Sequence, residues 1–93
     1  MDSLKWYLQY IQRFEPLSKA EEKIWMKKAK EGSASAKEKV ISSNLRFVVS
    51  VAKRYQNQGI PLEDLISEGN KGLVKAYDKF DMTRDVKFIT YAV

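Results

Sequence analysis

The stretch LISEGNKGLVKAYDKF, residues 65–80, decides the fold. Its apolar residues recur at three- and four-residue spacings, a pattern that predicts one face of an α-helix. Gly69 and Gly72 interrupt the pattern, and each costs a helix interior about 1 kcal/mol relative to alanine. We therefore predict that Gly69 lies on the inner face and lets this helix approach its neighbour. Gly72 is predicted to lie on a different side of the helix, where it relieves contact with another element or a partner. The alternative is a frayed or kinked helix. The apolar face consists of Leu65, Ile66, Leu73, Ala76, Tyr77 and Phe80.

Helix signals also cover most of the remaining chain. Ser18 followed by Glu21 is typical of a capping box, and Gly32 is a natural helix stop. The β-branched run FVVSV at residues 47–51 would also suit a strand, but the helical spacing around it favours a helix. Pro61 suits the first turn of the next helix. We predict helices over about residues 4–11, 19–32, 35–55 and 62–80, and a fifth that starts at KFITYAV and is incomplete at residue 93.

These signals predict an all-α fold, a compact bundle of about five helices with the last one truncated. A chain of 93 residues has room for one modest core, so we expect a single domain over residues 1–93. Within it, residues 1–32 would form an N-terminal helical pair, and the long helix over residues 35–55 would lie at the centre of the bundle. The incomplete last helix suggests a fragment.

Composition argues against an enzyme or a metal protein. The chain contains no cysteine and no histidine, so it lacks the usual zinc ligands and thiolate nucleophiles. Asp64 and Glu68 share a helical face, but like charges at that spacing are usually solvated. We expect no cofactor and no catalytic site. Because no signal peptide or long apolar run is present, we expect a reducing, cytoplasmic setting without a membrane.

The charge is unevenly distributed along the chain, whose net charge is +5. Residues 33–58 are basic, whereas residues 59–80 are slightly acidic. This asymmetry is compatible with a polyanion on one side and a different partner on the other. A solvated surface of mixed charge explains it nearly as well.

Two segments resemble a known family. NLRFVVSVAKRYQNQGIPLEDLISEGNKGLVKAYDKFDMTRDVKFITYA, residues 44–92, resembles domain two of the bacterial sigma factors of the sigma-70 class. DSLKWYLQYIQRFEPLSKAEEKIWMKKAKEG, residues 2–32, resembles the segment that precedes this domain. The order DLISEGNKGL, KF, KFITYA is a specific signature. The resemblance implies a sigma factor fragment for transcription initiation, with residues 33–93 binding polymerase and melting the promoter.

The resemblance also implies a docking surface for RNA polymerase core. In the family, the helix matching DLISEGNKGL docks on the coiled coil of the largest polymerase subunit. The residue pattern agrees in part, because Glu63, Ser67 and Asn70 are predicted to face outward and to offer polar groups to a partner helix. A merely solvated face would show the same pattern. The residues assigned to this contact are Asp64, Leu65, Ser67, Glu68, Asn70 and Val74.

Promoter contacts are expected mainly in the last segment, which mixes cations, a hydroxyl and aromatic rings as single-stranded DNA sites do. The resemblance implies capture of the non-template strand of the minus-ten element, with Tyr91 stacking on a flipped adenine. We favour ordinary core packing for Phe88. Asp85 and Val86 replace the glycine and aromatic residue of many relatives, which predicts weaker or altered melting. The residues assigned to this segment's DNA contact are Arg84, Lys87, Phe88, Thr90 and Tyr91.

Two further groups are assigned to DNA by the resemblance. Asn44 and Arg46 match positions near the downstream end of the minus-ten element, and an asparagine amide can read a base edge, although it is also a common helix residue. Tyr7, Leu8 and Gln9 match the part that contacts the discriminator bases. Many relatives have Met-Arg where this chain has Leu8 and Gln9. We therefore expect an altered discriminator preference.

Three functional alternatives are open at this point. The first is the sigma factor fragment, with an anti-sigma factor as a possible further partner. The second is a free-standing interaction module or sigma mimic that binds polymerase without opening DNA. The third, a duplex-binding helix-turn-helix protein, is disfavoured because Glu63 and Asp64 at the start of the helix would repel phosphate. We predict that this chain alone binds core polymerase better than promoter DNA.

Overall fold

The computed structural model describes residues 3–80, which fold into helices without a β-strand. The predicted all-α class is therefore confirmed for this part of the chain. The predicted fifth helix at residues 87–93 lies outside the described residues. The five α-helices are α1 (Ser3–Tyr10), α2 (Lys19–Lys30), α3 (Ala34–Ser42), α4 (Leu45–Lys53) and α5 (Leu62–Lys79), and a short 3-10 turn (Ile11–Arg13) follows α1. None of these helices is both long enough and apolar enough to cross a membrane.

Helix α2 begins and ends where the sequence predicts. The backbone N–H of Glu21 donates to Ser18 Oγ at 3.1 Å, and the backbone N–H of Ser18 donates to Glu21 Oε1 at 3.0 Å, which is a complete capping box. The hydrogen bond that the Glu21 carboxylate accepts from the Ser18 backbone N–H, with a smaller contribution from the Ser18 side chain, holds the pKa of Glu21 below its usual 4.5. At the other end, Gly32 has φ +108° and donates its N–H to the Ala29 carbonyl, while Ser33 donates to the Lys28 carbonyl. This double closure is a Schellman motif.

The single long helix predicted over residues 35–55 is wrong, because the structure divides it into α3 and α4. At the break, Ser43 Oγ and Asn44 Nδ2 both donate to the Val40 carbonyl, at 2.8 and 2.9 Å. The Asn44 backbone N–H bonds the Ile41 carbonyl instead, three residues back. The side chains of Ser43 and Asn44 thus occupy the Val40 carbonyl, which in a continuous helix would accept from the Asn44 backbone N–H. Helix α4 also ends earlier than predicted, at Lys53.

Two apolar clusters hold the helices together, and α4 and α5 contribute to both. Val48 of α4 lies in the first cluster, and Val49 lies in the second. Because these neighbouring residues point to different sides of α4, this helix connects the two halves of the core. The first cluster contains Met26, Ala29, Ala36, Val40, Val48, Leu73 and Tyr77, and the second contains Ile11, Val49, Ala52 and Ile66.

Helix α5 is continuous through both of its glycines, so a helix frayed at these positions is excluded. A Cβ atom added to Gly69 would lie 2.6 Å from Val48 Cγ1, closer than side-chain carbons pack. The absence of a side chain at Gly69 therefore lets α5 approach α4, as predicted. A Cβ atom added to Gly72 would have no described atom within 4 Å. No described element accounts for Gly72.

Candidate functional site

The six residues assigned to polymerase binding lie on α5, but they do not form a single exposed face. Asp64, Ser67, Glu68 and Val74 are exposed. Leu65 is half-buried and packs against the second apolar cluster. The accessible part of the predicted surface is therefore a strip along α5 that combines two carboxylates, a hydroxyl and a branched apolar side chain.

The negative charge of this strip lies mainly in the N-terminal half of α5. Asp64 occupies the first turn, where a carboxylate is favoured by the helix dipole. Within residues 3–80, its side chain makes no hydrogen bond or ion pair. Glu68 pairs with Lys71 across one helical turn at 3.4 Å. Both of those groups are well exposed, so their attraction contributes little to stability and leaves Glu68 available to a partner.

An open groove runs between α1 and α5 beside this strip, with a volume of about 780 Å³. Ser67 and Val74 lie on its α5 side, and Leu4 and Tyr7 lie on its α1 side. The buried side chain of Ile66 contributes to its floor. The remaining lining residues are Ser3, Glu63, Asn70, Lys71 and Lys75.

Asn70 is oriented toward this groove, and the prediction that it faces outward is wrong. Its Nδ2 group donates to the Tyr7 hydroxyl at 3.1 Å, and the residue is half-buried. Its Oδ1 atom is buried and has no described hydrogen-bond partner. The sequence placed Tyr7 in a DNA contact and Asn70 in a polymerase contact. The structure brings these residues, 63 positions apart, into one contact between α1 and α5.

The residues assigned to DNA in the described part of the chain differ in accessibility. Asn44 is only 4% exposed, and its amide donates to the Val40 carbonyl, so it holds the α3–α4 break in this structure. Arg46 lies 3.8 Å from the Glu15 carboxylate. Leu8 is half-buried against the second apolar cluster, whereas Gln9 is exposed. The DNA roles of these residues stay predictions.

The main DNA segment lies outside the described residues. This applies to Arg84, Lys87, Phe88, Thr90 and Tyr91, and to the substitutions Asp85 and Val86. Their assigned contacts, and the packing role that we favour for Phe88, also stay predictions.

A lysine contact fixes the end of α5, which leads into that segment. Lys30 Nζ donates to the Tyr77 carbonyl at 2.6 Å and lies 4.1 Å from the centre of the Tyr77 ring. Lys37 approaches the same ring at 5.2 Å. Burial raises the pKa of the Tyr77 phenol above 10.0, with a smaller contribution from Asp78. No sequence signal points to this contact, because neither lysine stands out from the other basic residues of α2 and α3.

The strip and the groove expose charged, polar and aromatic side chains of α5 and α1. Among residues 3–80, no group of three acidic side chains is placed to hold a metal ion together. The accessible groups are, on α5, the carboxylate strip with Lys71 and Lys75 beside it and, on α1, aromatic, amide and lysine side chains. In a comparison with protein families, the family described as sigma-70 region 2 matches residues 40–93. The match includes all of α4 and α5 and the last residues of α3.

Proposed function

The chain belongs to the sigma-70 region 2 family, and we propose that it joins RNA polymerase core to promoter DNA through two separate surfaces. Family membership gives it a part in transcription initiation, promoter recognition and polymerase binding. Domains of this family bind and position other molecules and are not enzymes. The surfaces assigned below are our proposal, as is a cytoplasmic location, where polymerase acts.

The polymerase surface is proposed to be the exposed strip of α5, formed by Asp64, Ser67, Glu68 and Val74. The observation that carries this assignment is that α5 is an uninterrupted helix of 18 residues, about 27 Å long, with this strip open to solvent. Such a continuous edge would pack against the coiled coil of the largest polymerase subunit as one helix along another. Charged groups at the edge would set register and association rate more than affinity.

Leu65 and Asn70 are proposed to support this surface from inside the protein. Leu65 packs on the second apolar cluster, and Asn70 bonds Tyr7. Both contacts hold α5 at a fixed angle to its neighbours, and the close approach at Gly69 does the same. A preorganised helix loses little conformational freedom on docking, which favours affinity.

The DNA surface is proposed to lie beyond α5, in the segment that contains Arg84, Lys87, Thr90 and Tyr91. Family membership supports this, together with the mix of cations and aromatic rings that single-stranded DNA sites use. The strand bound there would be the non-template strand of the minus-ten element. Lys30, which bonds the last turn of α5, would fix the point from which this segment starts. An anti-sigma factor is a further possible partner.

A titration against the isolated coiled-coil segment of the largest polymerase subunit tests the polymerase surface. We expect saturable binding that Asp64→Ala and Val74→Ala both weaken. Glu38→Ala is the matched control, because Glu38 is an exposed acid on α3, away from the strip on α5. Circular dichroism of each variant checks folding. Equal effects of the three variants, or no binding by a folded wild-type chain, would refute the assignment.

A second titration, with polymerase core and a single-stranded minus-ten oligonucleotide, tests the DNA surface. We expect the chain to increase capture of the non-template strand by core, and Tyr91→Ala to reduce that capture without changing binding to the coiled coil. Polymerase binding without any gain in strand capture would instead support a sigma mimic that occupies polymerase without opening DNA.

A further inference from the structure

The surface of the α2–α3 pair carries a tryptophan with two lysines beside it. Trp25 of α2 is half-buried and packs against the first apolar cluster. Lys28 Nζ lies 5.0 Å from the centre of the Trp25 ring, and Lys39 Nζ, from α3, lies 5.8 Å from the same centre. Ile24, one turn before Lys28, is 57% exposed. We refer to Ile24, Trp25, Lys28 and Lys39 as the Trp25 patch.

Positive charge dominates the exposed side of α2. The helix contains five lysines, and all of them are exposed. Of its two glutamates, Glu22 is 4% exposed and Glu21 is bound in the capping box, while Glu31 follows at the C-cap. Within residues 3–80, Lys28 and Lys39 make no hydrogen bond or ion pair. Because both ammonium groups lie beside one ring, a carboxylate placed between them would be attracted by both.

The chemistry of the patch suits an acidic protein better than a nucleic acid. The Trp25 ring already contacts the core and two ammonium groups, which leaves it poorly placed to stack on a base. A phosphate would gain nothing from Ile24, whose side chain is largely open to solvent. A protein surface with an apolar centre and acidic edges would gain from both the isoleucine and the lysines.

The secondary structure of this region indicates the form of such a partner. Both α2 and α3 are helices, and residues 3–80 contain no β-strand. A partner therefore finds no strand edge to extend here, and the mode that fits a helical surface is a second helix that lays its apolar face on the patch. That helix would place an aliphatic side chain against Ile24 and carboxylates within reach of Lys28 and Lys39.

We propose that the Trp25 patch binds an acidic amphipathic helix of a protein other than polymerase core. All four residues of the patch precede residue 40, where the match to the sigma-70 region 2 family begins, so the family match assigns them no role. The patch also shares no residue with the exposed strip of α5. The inference therefore goes beyond the proposed function and does not depend on it.

Fluorescence of Trp25 reports binding at the patch directly. The chain has two tryptophans, so Trp6→Phe leaves Trp25 as the sole reporter. The probe is a synthetic helical peptide with leucines along one face and glutamates on both sides of them. We expect a saturable change in Trp25 emission that weakens as salt is added, because salt screens the attraction between exposed charges. A scrambled peptide of the same composition, which has no apolar face, should bind much more weakly.

Matched variants identify the contact. Ile24→Ala should weaken binding about 4- to 20-fold, because most of the exposed apolar surface of that side chain is lost. Ile60→Ala removes an isoleucine that is 53% exposed but lies outside the patch, and it should have no effect. Lys28→Glu and Lys39→Glu should each weaken binding at low salt more than Lys53→Glu, which reverses an exposed charge on α4. Circular dichroism checks the folding of each variant.

The proposal is overturned if Ile24→Ala and Ile60→Ala have equal effects, or if the scrambled peptide binds as well as the probe. Tighter binding of a DNA duplex than of the probe, with the same dependence on Lys28, would also overturn it. Ile24→Ala should bind the polymerase coiled coil as the wild type does. Loss of that binding in a folded variant would assign the patch to the polymerase interface and refute a separate partner, whereas coiled-coil binding without probe binding would refute the patch alone.

Discussion

Replacing Gly72 of α5 by alanine should stabilise the protein, whereas the same replacement at Gly69 should leave stability unchanged or lower it. At Gly72, where an added Cβ meets no described atom within 4 Å, alanine gains its helix propensity of about 1 kcal/mol. At Gly69 the same gain is opposed by a contact of 2.6 Å with Val48 Cγ1. Val48 is buried, and its β-branched side chain has one strongly preferred rotamer in a helix. A rotation of the Val48 side chain away from the added Cβ therefore costs free energy.

The size of the difference follows from these opposing contributions. Overpacking a core costs about 1–3 kcal/mol, which offsets or exceeds the propensity gain at Gly69. The two substitutions should thus differ by about 1–3 kcal/mol in free energy of unfolding, with Gly72→Ala the more stable. In a domain of this size, about 1 kcal/mol corresponds to a shift of about 4–8 °C in Tm. Gly69→Leu, which is larger, should destabilise further.

Thermal unfolding followed by circular dichroism measures both variants, and a double-mutant cycle identifies the contact. In a Val48→Ala background the methyl group that meets the added Cβ is gone, so Gly69→Ala should become neutral or stabilising there. Gly72→Ala should change Tm by the same amount in the wild-type and Val48→Ala backgrounds. If Gly69→Ala raised Tm as much as Gly72→Ala in the wild-type background, close approach at Gly69 would not explain that glycine.

Three other predictions concern single contacts. Because hydrogen bonds from Ser18 hold the pKa of Glu21 below 4.5, their stabilising effect is present above that pH and is lost as pH falls through the lowered pKa. Tm measured from pH 2 to 7 should therefore fall less steeply in Glu21→Gln, and superimposable profiles would contradict this. Lys30→Met should lower the free energy of unfolding by about 1–2 kcal/mol through loss of the bond to the Tyr77 carbonyl, whereas Lys27→Met, at an exposed position of the same helix, should have little effect in urea titrations. Tyr7→Phe should destabilise by about 1 kcal/mol because Asn70 loses its acceptor, and an unchanged urea midpoint would rule out that bond in solution.

Local signals in the sequence were sufficient for helix ends that depend on neighbouring residues. The capping box at Ser18 and the stop at Gly32 involve atoms within five residues of each other, so the pattern itself contains the contact. The inner position of Gly69 was equally predictable, because the apolar spacing fixes which side of α5 faces the core.

Features that depend on competition or on distant residues were not predictable in the same way. The apolar spacing continues from α3 into α4, and it gave no sign that Ser43 and Asn44 side chains would take the Val40 carbonyl. Helical periodicity placed Asn70 on the polar side of α5, but a tyrosine from α1 meets it there.

Site-specific photo-crosslinking to intact RNA polymerase core tests the central claim most directly. A photoreactive amino acid in place of Val74 lies in the exposed strip of α5, and one in place of Ala20, exposed on α2, serves as the control position. The account predicts that the probe at Val74 crosslinks to the coiled coil of the largest subunit and that the probe at Ala20 does not. Crosslinks from Val74 to another subunit, equal crosslinking from both positions, or none from a folded chain would contradict the account.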